Sequence, residues 1–577
     1  MTITQPGDGT ENRRAVETQA IAWLAARRAL IDPAGADPDG VLFARKALIE
    51  TAFLVGLRAR LDPTPLDADY TALLDQVQEI TARPSYRELA ARDEAALLLY
   101  AGTYVALRLC GREDTGFRRI LEQAAAGGYA AAFERVPYRQ LDLLHTLQLC
   151  GIDHDLPTMD EVLPFTLLCN RPNVVKLADR DIYAITHTVF YATDFGLRRP
   201  RWPGGFEPAD AVELLEALLV LTRARRNADL VGELLCCLRC LGVRDSREAD
   251  LAWQFLISVQ EPDGRVGGPP GIVHPKLAAG DDRFRRWATG YHTTVVAALA
   301  SLLERSPRVP HGPRPSTRRP APDLDGPIRS AVRWLGEAST RFGSDVGLPA
   351  AAAAALGASA IGRTELAGDA LHHFARLLAD PDPDGAGDEV WQAHGIEVVG
   401  EFAAGLRELG IACRSLDVFL ARTAAAVADL PHIPPQARPG LRRLADLGLI
   451  PPGPPPAVPG PAEFPSRAAE ALAAEIPDAR RTYHLGRLAG IVRDLTAGGW
   501  ADHRITRDAV AFLLSQQGAD GAFGHPACDD PATRLRVRLS WTQSIVTALT
   551  ATHRAQRAHP TPARPATATT PGAHAAG

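Results

Sequence analysis

In the segment ADRDIYAITHTVFYATDFG (178–196), Tyr183, His187 and Tyr191 recur every four residues, and Asp194 follows seven residues after His187. On a helix, at about 100° per residue, these positions share one face. An imidazole that titrates near neutrality, a carboxylate and two phenols on one stripe suit proton transfer. The aromatic faces suit stabilisation of developing positive charge. Asp194 stands two residues before Gly196, a helix stop. A carboxylate there opposes the helix dipole by roughly 0.3–1 kcal/mol, so a cation, a hydrogen-bond donor or a ligand should compensate it. The competing reading is a buried, hydrogen-bonded cluster that fixes helix packing. Asp179 and Asp181 open the same helix, where first-turn acids cap the end and offset the dipole.

His292, beside Tyr291 in RRWATGYHTTVVAAL (285–299), is a second candidate. Asp142 and His145, in QLDLLHTLQLCGIDHDL (140–156), either face the same cavity or form a satisfied pair on a helix surface. Seven residues of helix rise about 10 Å, whereas zinc ligands lie about 2 Å from their ion. His187 and Asp194 are therefore expected to share a pocket rather than a metal. Zinc or magnesium stays open as a cofactor, with zinc at His292 and other ligands as one form of it. Cys236, Cys237 and Cys240 in the leucine-rich ELLCCLRCLG read as small hydrophobes of a core. The Asp-rich LADPDPDGAGDEVW (378–391) reads as a surface loop, and His394 with Glu397 as a pocket pair in the second half. No phosphate-cradling glycine loop, nucleophile elbow or His-Glu-x-x-His helix is present.

The elements that must position these groups are helices. Apolar residues recur at i, i+3 and i+4 in AVELLEALLVLTRA (211–224) and again in ADLVGELLCCLRCLG (228–242), which ends on Gly242. The short break between them predicts an antiparallel hairpin. Such pairs recur over 15–305 and 328–555, predicting an all-α chain of two helical-hairpin domains. The Pro/Arg-rich 306–327 is the expected linker, 451–465 a Pro-rich insertion, and 1–14 and 556–577 disordered ends. The chain has 577 residues, 46% of them apolar, and a net charge of −5, which advertises no nucleic-acid-binding face. Only Lys46, Lys176 and Lys276 are lysines, so the abundant arginine reflects coding bias rather than phosphate recognition. No charge-free apolar run approaches the ~18 residues of a membrane span, and no signal core opens the chain, so a cytoplasmic location is expected.

An internal repeat links the halves. WQFLISVQEPDGRVG (253–267) and AFLLSQQGADGAFG (511–524) each end a helix in Gln-x-x-Asp-Gly. Each is followed by a loop and a helix opening on an aromatic, Tyr291 or Trp541. Gln260 and Gln517 would tie their helix ends to the turn, Asp263 and Asp520 would nucleate it, and Gly264 and Gly521 would supply positive φ. Aligned from Leu299 and Leu549, His292 meets Thr542, so the repeat itself does not require a histidine there.

Phe-Leu-x-x-x-Gln-x-x-Asp-Gly followed by a Tyr-x-Thr helix resembles the repeat of the terpenoid cyclase and protein prenyltransferase superfamily. The resemblance covers about 50 residues in each half and implies an α/α toroid of inner and outer helices. Asp-Arg-Asp-Ile-Tyr (179–183) is similar to the Asp-x-Asp-Asp acid of class II terpene cyclases but lacks the second Asp of the pair. Tyr-His-Thr (291–293) looks like the zinc-histidine segment of prenyltransferase β subunits, whose Asp and Cys segments have no counterpart. Lanthipeptide cyclases share the toroid, but their adjacent Cys-His pair is absent. The Thr-His-x-x-Phe-Tyr-x-Thr-Asp-Phe-Gly segment (186–196) also resembles an uncharacterised actinobacterial family. The actinobacterial resemblance implies no chemistry, whereas the superfamily resemblance implies a biosynthetic enzyme for an apolar, isoprenoid or peptide-borne substrate. His187, Asp194, His292, Asp179 and Asp181 would be its acid/base groups, and Tyr183, Tyr191, Tyr291, Asp142 and His145 would line its site. A non-catalytic helical scaffold binding a peptide or small ligand, and a zinc-dependent thiol- or peptide-modifying enzyme, are the alternatives.

Overall fold

The computed structural model describes residues 8–36, 40–269, 282–309, 321–378, 396–428 and 466–558. Among them the chain is all-α, its only extended pairings being two isolated bridges, Gln260 with Val266 and Gln517 with Phe523. Among the described residues no helix is long and apolar enough to cross a membrane. It divides into two compact units, Met1–Arg319 and Pro320–Gly577.

Nine helices of the first unit carry the argument: α1 (Asp8–Ala25), α2 (Val41–Leu61), α3 (Leu97–Leu109), α4 (Pro137–Cys150), α5 (Asp179–Thr193), α6 (Pro208–Ala224), α7 (Ala228–Cys240), α8 (Arg247–Val259) and α9 (Tyr291–Arg305). Six of them pack in a closed cycle: α2 on α3, α3 on α4, α4 on α5, α5 on α7, α7 on α9, and α9 back on α2. Helices α1, α6 and α8 pack outside it, α1 on α9 and both α6 and α8 on α7. This placement explains why α7 is buried on every side, its charged Asp229, Glu233 and Arg239 included. Cys236, Cys237 and Cys240 are buried in it, and burial pushes all three thiols up, Cys240 to about 12.

Several expected boundaries shift. Asp8–Arg14, expected to be disordered, form the start of α1, because Arg13 pairs with Asp250 of α8 at 2.7 Å and Glu304 of α9 at 2.8 Å. Long-range ion pairs fix a segment that has no apolar face of its own. The linker is shorter than 306–327. Ser306 donates to the Leu61 carbonyl and Val309 is buried, while Asp325–Pro327 already belong to a helix. Helix structure also runs past 555, to Ala558. The Asp-rich stretch after Leu378, the side chains of His394 and Glu397, insertion 451–465 and the residues after Ala558 lie outside those described.

The repeat turns are built alike. In the first unit, Gln260 Nε2 donates to the carbonyls of Val16 and Gly264, and Asp263 accepts from Arg265 N. In the second, Gln517 Nε2 donates to Pro327 and Gly521, and Asp520 accepts from Ala522 N. Gly264 (φ 94°) and Gly521 (φ 93°) take the positive φ expected of them. Val266 N donates to Thr294 Oγ1 and Phe523 N to Thr542 Oγ1, so Thr294, not His292, is the counterpart of Thr542. The register is two residues off the one expected, and His292 meets Ser540. The second unit still carries no histidine at that position.

In the second unit, α10 (Asp325–Ser339), α11 (Ser344–Ala360) and α14 (Pro531–Ala558) pack mutually, and α12 (Leu485–Leu495) lies on α14. Helix α13 (Arg504–Leu514) precedes the turn. Alanines and Gly357 let α11 approach its neighbours closely: a Cβ at Gly357 would lie 2.8 Å from Val332. A cavity of about 240 Å³ here is lined by Pro349, Arg493, Gln543 and small residues, without a carboxylate or imidazole.

Candidate functional site

The six-helix cycle encloses a cavity of about 680 Å³. Every helix of the cycle contributes to its wall, which is mainly apolar: Ile49, Phe53, Leu54 and Leu57 from α2, Phe190 from α5, Phe195 just beyond it, and Val295, Val296 and Leu299 from α9. Leu42, Lys46, Leu99, Arg139 and Arg180 are its exposed members, so it opens beside the first turns of α2, α3, α4 and α5.

Polar groups gather on one side. His187 and His292 both line the cavity, as the sequence led us to expect. His187 Nε2 lies 3.7 Å from Glu233 Oε1, and its ring packs among Tyr138, Tyr183, Phe190 and Tyr191 at centroid distances of 5.8–6.4 Å. His292 Nδ1 lies 2.9 Å from Glu50 Oε2, and its Nε2 lies 3.5 Å from Asp229 Oδ2 and 3.8 Å from Glu233 Oε1. Tyr183 donates to Asp229 and Thr186 to Glu233. Lys46 approaches Glu50 at 3.5 Å.

The electrostatics follow from this crowding. Burial alone would pull the His292 imidazolium down, but Asp229 and Glu50 outweigh it and push His292 up to about 9. Burial pushes Glu50 up, yet His292 and Lys46 hold it below its ordinary value. Glu233 is likewise held low, by His187 against burial, whereas burial and the Glu233 charge leave Asp229 raised. Burial and the Asp229 carboxylate keep Tyr183 firmly protonated.

Of the other expected site residues, Tyr183, Tyr191 and Asp142 line the cavity, with Asp142 paired to Arg139 at 3.2 Å. Asp194 does not. It caps α5 in the left-handed region (φ 51°), where both oxygens accept from Arg60 and His145 Nε2 approaches at 2.8 Å. The compensating partners expected for a carboxylate at this helix end are thus Arg60 and His145, and His145 is buried with Asp194 rather than lining the cavity. Asp181 accepts from Ala178 N, and Asp179 pairs with Arg225 and Asn227. They hold the start of α5 and stand outside the cavity wall. Tyr291 is buried against Trp287, with ring centroids 4.9 Å apart, beside rather than in the cavity.

Glu50, Asp229, Glu233 and Lys46 were not picked out by sequence. Their signal is present: Lys46/Glu50 and Asp229/Glu233 are i, i+4 pairs in mainly apolar helices, which places each pair on one helix face.

Residues 17–302 match the model of a family described as Domain of unknown function (DUF6895), a span that takes in the whole cavity wall. No curated protein and no solved structure matches the chain.

Proposed function

We propose that the first unit is an enzyme of terpene-cyclase-like architecture that binds an apolar substrate in the six-helix cavity and moves a proton at His187. The observation that carries this reading is the meeting of an apolar shaft of about 680 Å³ with one polar wall of His187, His292, Glu50 and Glu233. Wells of this size, mostly apolar with a few convergent polar groups, suit small-molecule chemistry. His187 faces the cavity with Glu233 behind it, so a proton lost or gained at the imidazole is balanced by a carboxylate. The rings of Tyr183, Phe190 and Tyr191 beside it offer π faces to a cationic intermediate. Arg45 and Arg180 at the opening, beside Lys46 and Arg139 that pair with Glu50 and Asp142, favour a substrate with an anionic end and an apolar body. The closed cycle of inner helices and the matching repeat turns are in keeping with the toroid of that superfamily.

The test is incubation of the full-length chain with C10–C20 isoprenoid alcohols and diphosphates, followed by mass spectrometry of the extracted products. A new product that disappears in His187→Ala, with unchanged melting temperature, supports the reading. Retention of turnover in His187→Ala overturns His187 as the proton-transfer group. Saturable binding of these compounds without any product in the wild type favours a binding module.

A further inference from the structure

We infer that Asp229, Glu233 and His292 form a site for one divalent first-row metal ion at the polar wall of the cavity. The proposal concerns ion binding and stands whether or not the cavity is catalytic.

One donor atom from each of the three residues lies within 4.8 Å of the others. Ligands about 2.1 Å from a tetrahedral ion sit about 3.4 Å from one another. His292 Nε2 stands 3.5 Å from Asp229 Oδ2 and 3.8 Å from Glu233 Oε1, so the side chains need little movement to close on an ion. Asp229 and Glu233 lie one turn apart on α7, and His292 is the second residue of α9, which packs directly on α7. The donors thus project from two rigid, adjoining helices.

A second observation points to a ligand. Asp229 is 2% exposed and its Oδ1 is buried without a hydrogen-bond partner. A buried carboxylate oxygen without a partner is destabilising, and an ion held by this carboxylate would offer one. The surrounding groups have the form of an outer shell. Tyr183 and Thr186 donate to Asp229 Oδ2 and Glu233 Oε2, which fixes the carboxylates. Glu50 Oε2 stands 2.9 Å from His292 Nδ1 without a formed hydrogen bond, and a small rotation of the ring would let this carboxylate hold it with the opposite nitrogen toward a metal. Charge supports the assignment as well. Glu50, Asp229 and Glu233 bring three carboxylates against one fixed cation, Lys46, and a divalent ion balances the remainder. One imidazole and two carboxylates, without thiolate, suit zinc, manganese or iron better than a soft ion.

The experiment uses the untagged full-length chain, stripped with a chelator and checked for folding by circular dichroism. Co²⁺ is then titrated by its visible absorption and Zn²⁺ by competition with a chromophoric chelator. The expected result is one saturable site per chain. The double variant Asp229→Asn/Glu233→Gln should weaken it by ~100-fold or more, and Glu50→Gln, which keeps all three ligands, by about 10–100-fold. His187→Ala and Cys236→Ala should leave it intact. Absence of saturable binding by the folded wild-type chain overturns the site. So does wild-type affinity in Glu50→Gln together with wild-type affinity in the double variant. If the double variant does not fold, Glu50→Gln with His292→Gln carries the same decision.

Discussion

The imidazole of His145 holds the carboxylate of Asp194 at 2.8 Å, joining the middle of α4 to the left-handed end of α5. Arg60 closes the other side, so this pair is a joint between three helices of the cycle rather than part of the cavity wall.

The joint makes stability fall in acid. Burial pushes the Asp194 carboxyl up, but His145 and Arg60 outweigh it and hold it below its ordinary 3.8. A depressed carboxyl adds stability that is complete above the unfolded value and is lost as pH falls through the folded one. Asp194→Asn keeps the shape and removes the charge. It should cost about 1–3 kcal/mol at pH 7 and less below about pH 4, read by urea unfolding across pH. An equal cost at both pH values would contradict the assignment.

Arg305 binds two buried carboxylates, Glu17 of α1 and Asp62 after α2. Arg305→Ala removes the cation that both share, leaving Glu17 with only Tyr70 and Asp62 with Thr64 and Arg58, and should cost about 3 kcal/mol. Arg13→Ala, which removes more exposed pairs to Asp250 and Glu304, should cost only about 1 kcal/mol. Thermal unfolding of the two variants side by side checks the ratio.

Gly264 passes so close to α1 that a Cβ would lie 2.1 Å from the Gln19 carbonyl, at φ 94°. Gly264→Ala should destabilise the first unit by about 2–3 kcal/mol. Gly521→Ala, whose Cβ would lie 2.5 Å from the Ser330 carbonyl, should do the same to the second. Limited proteolysis identifies which unit loosens in each variant.

Burial keeps the Cys236, Cys237 and Cys240 thiols protonated, so at pH 8 a thiol reagent should modify the half-buried Cys528 first and these three only on unfolding. Counting modified cysteines by mass spectrometry before and after denaturant measures this. Rapid labelling of the trio in the native chain would mean that α7 opens.

Much of the architecture was legible because it is written in local pattern: the helical period, and Gln-x-x-Asp-Gly turns whose hydrogen bonds repeat from unit to unit. His187 was legible for the same reason, being on the face that Tyr183 and Tyr191 mark. Asp194 was misplaced because a helical wheel presumes the helix continues, whereas the backbone turns left-handed at Asp194 and Phe195. The carboxylate therefore swings toward His145. Asp229 and Glu233 escaped notice although their spacing gives one face. What that face meets depends on His292, some sixty residues on, and no local period carries that information. Arg13 anchors α1 in the same non-local way.

The cycle is sealed where α9 meets α2, the last of its helices against the first. A growing chain on the ribosome therefore has no hollow to fill until residues near 305 have emerged. Every shorter product leaves an apolar seam facing water. Assembly of this unit must be cooperative and governed by its latest-made helix, so α9 is where a chaperone or a folding defect would exert most influence.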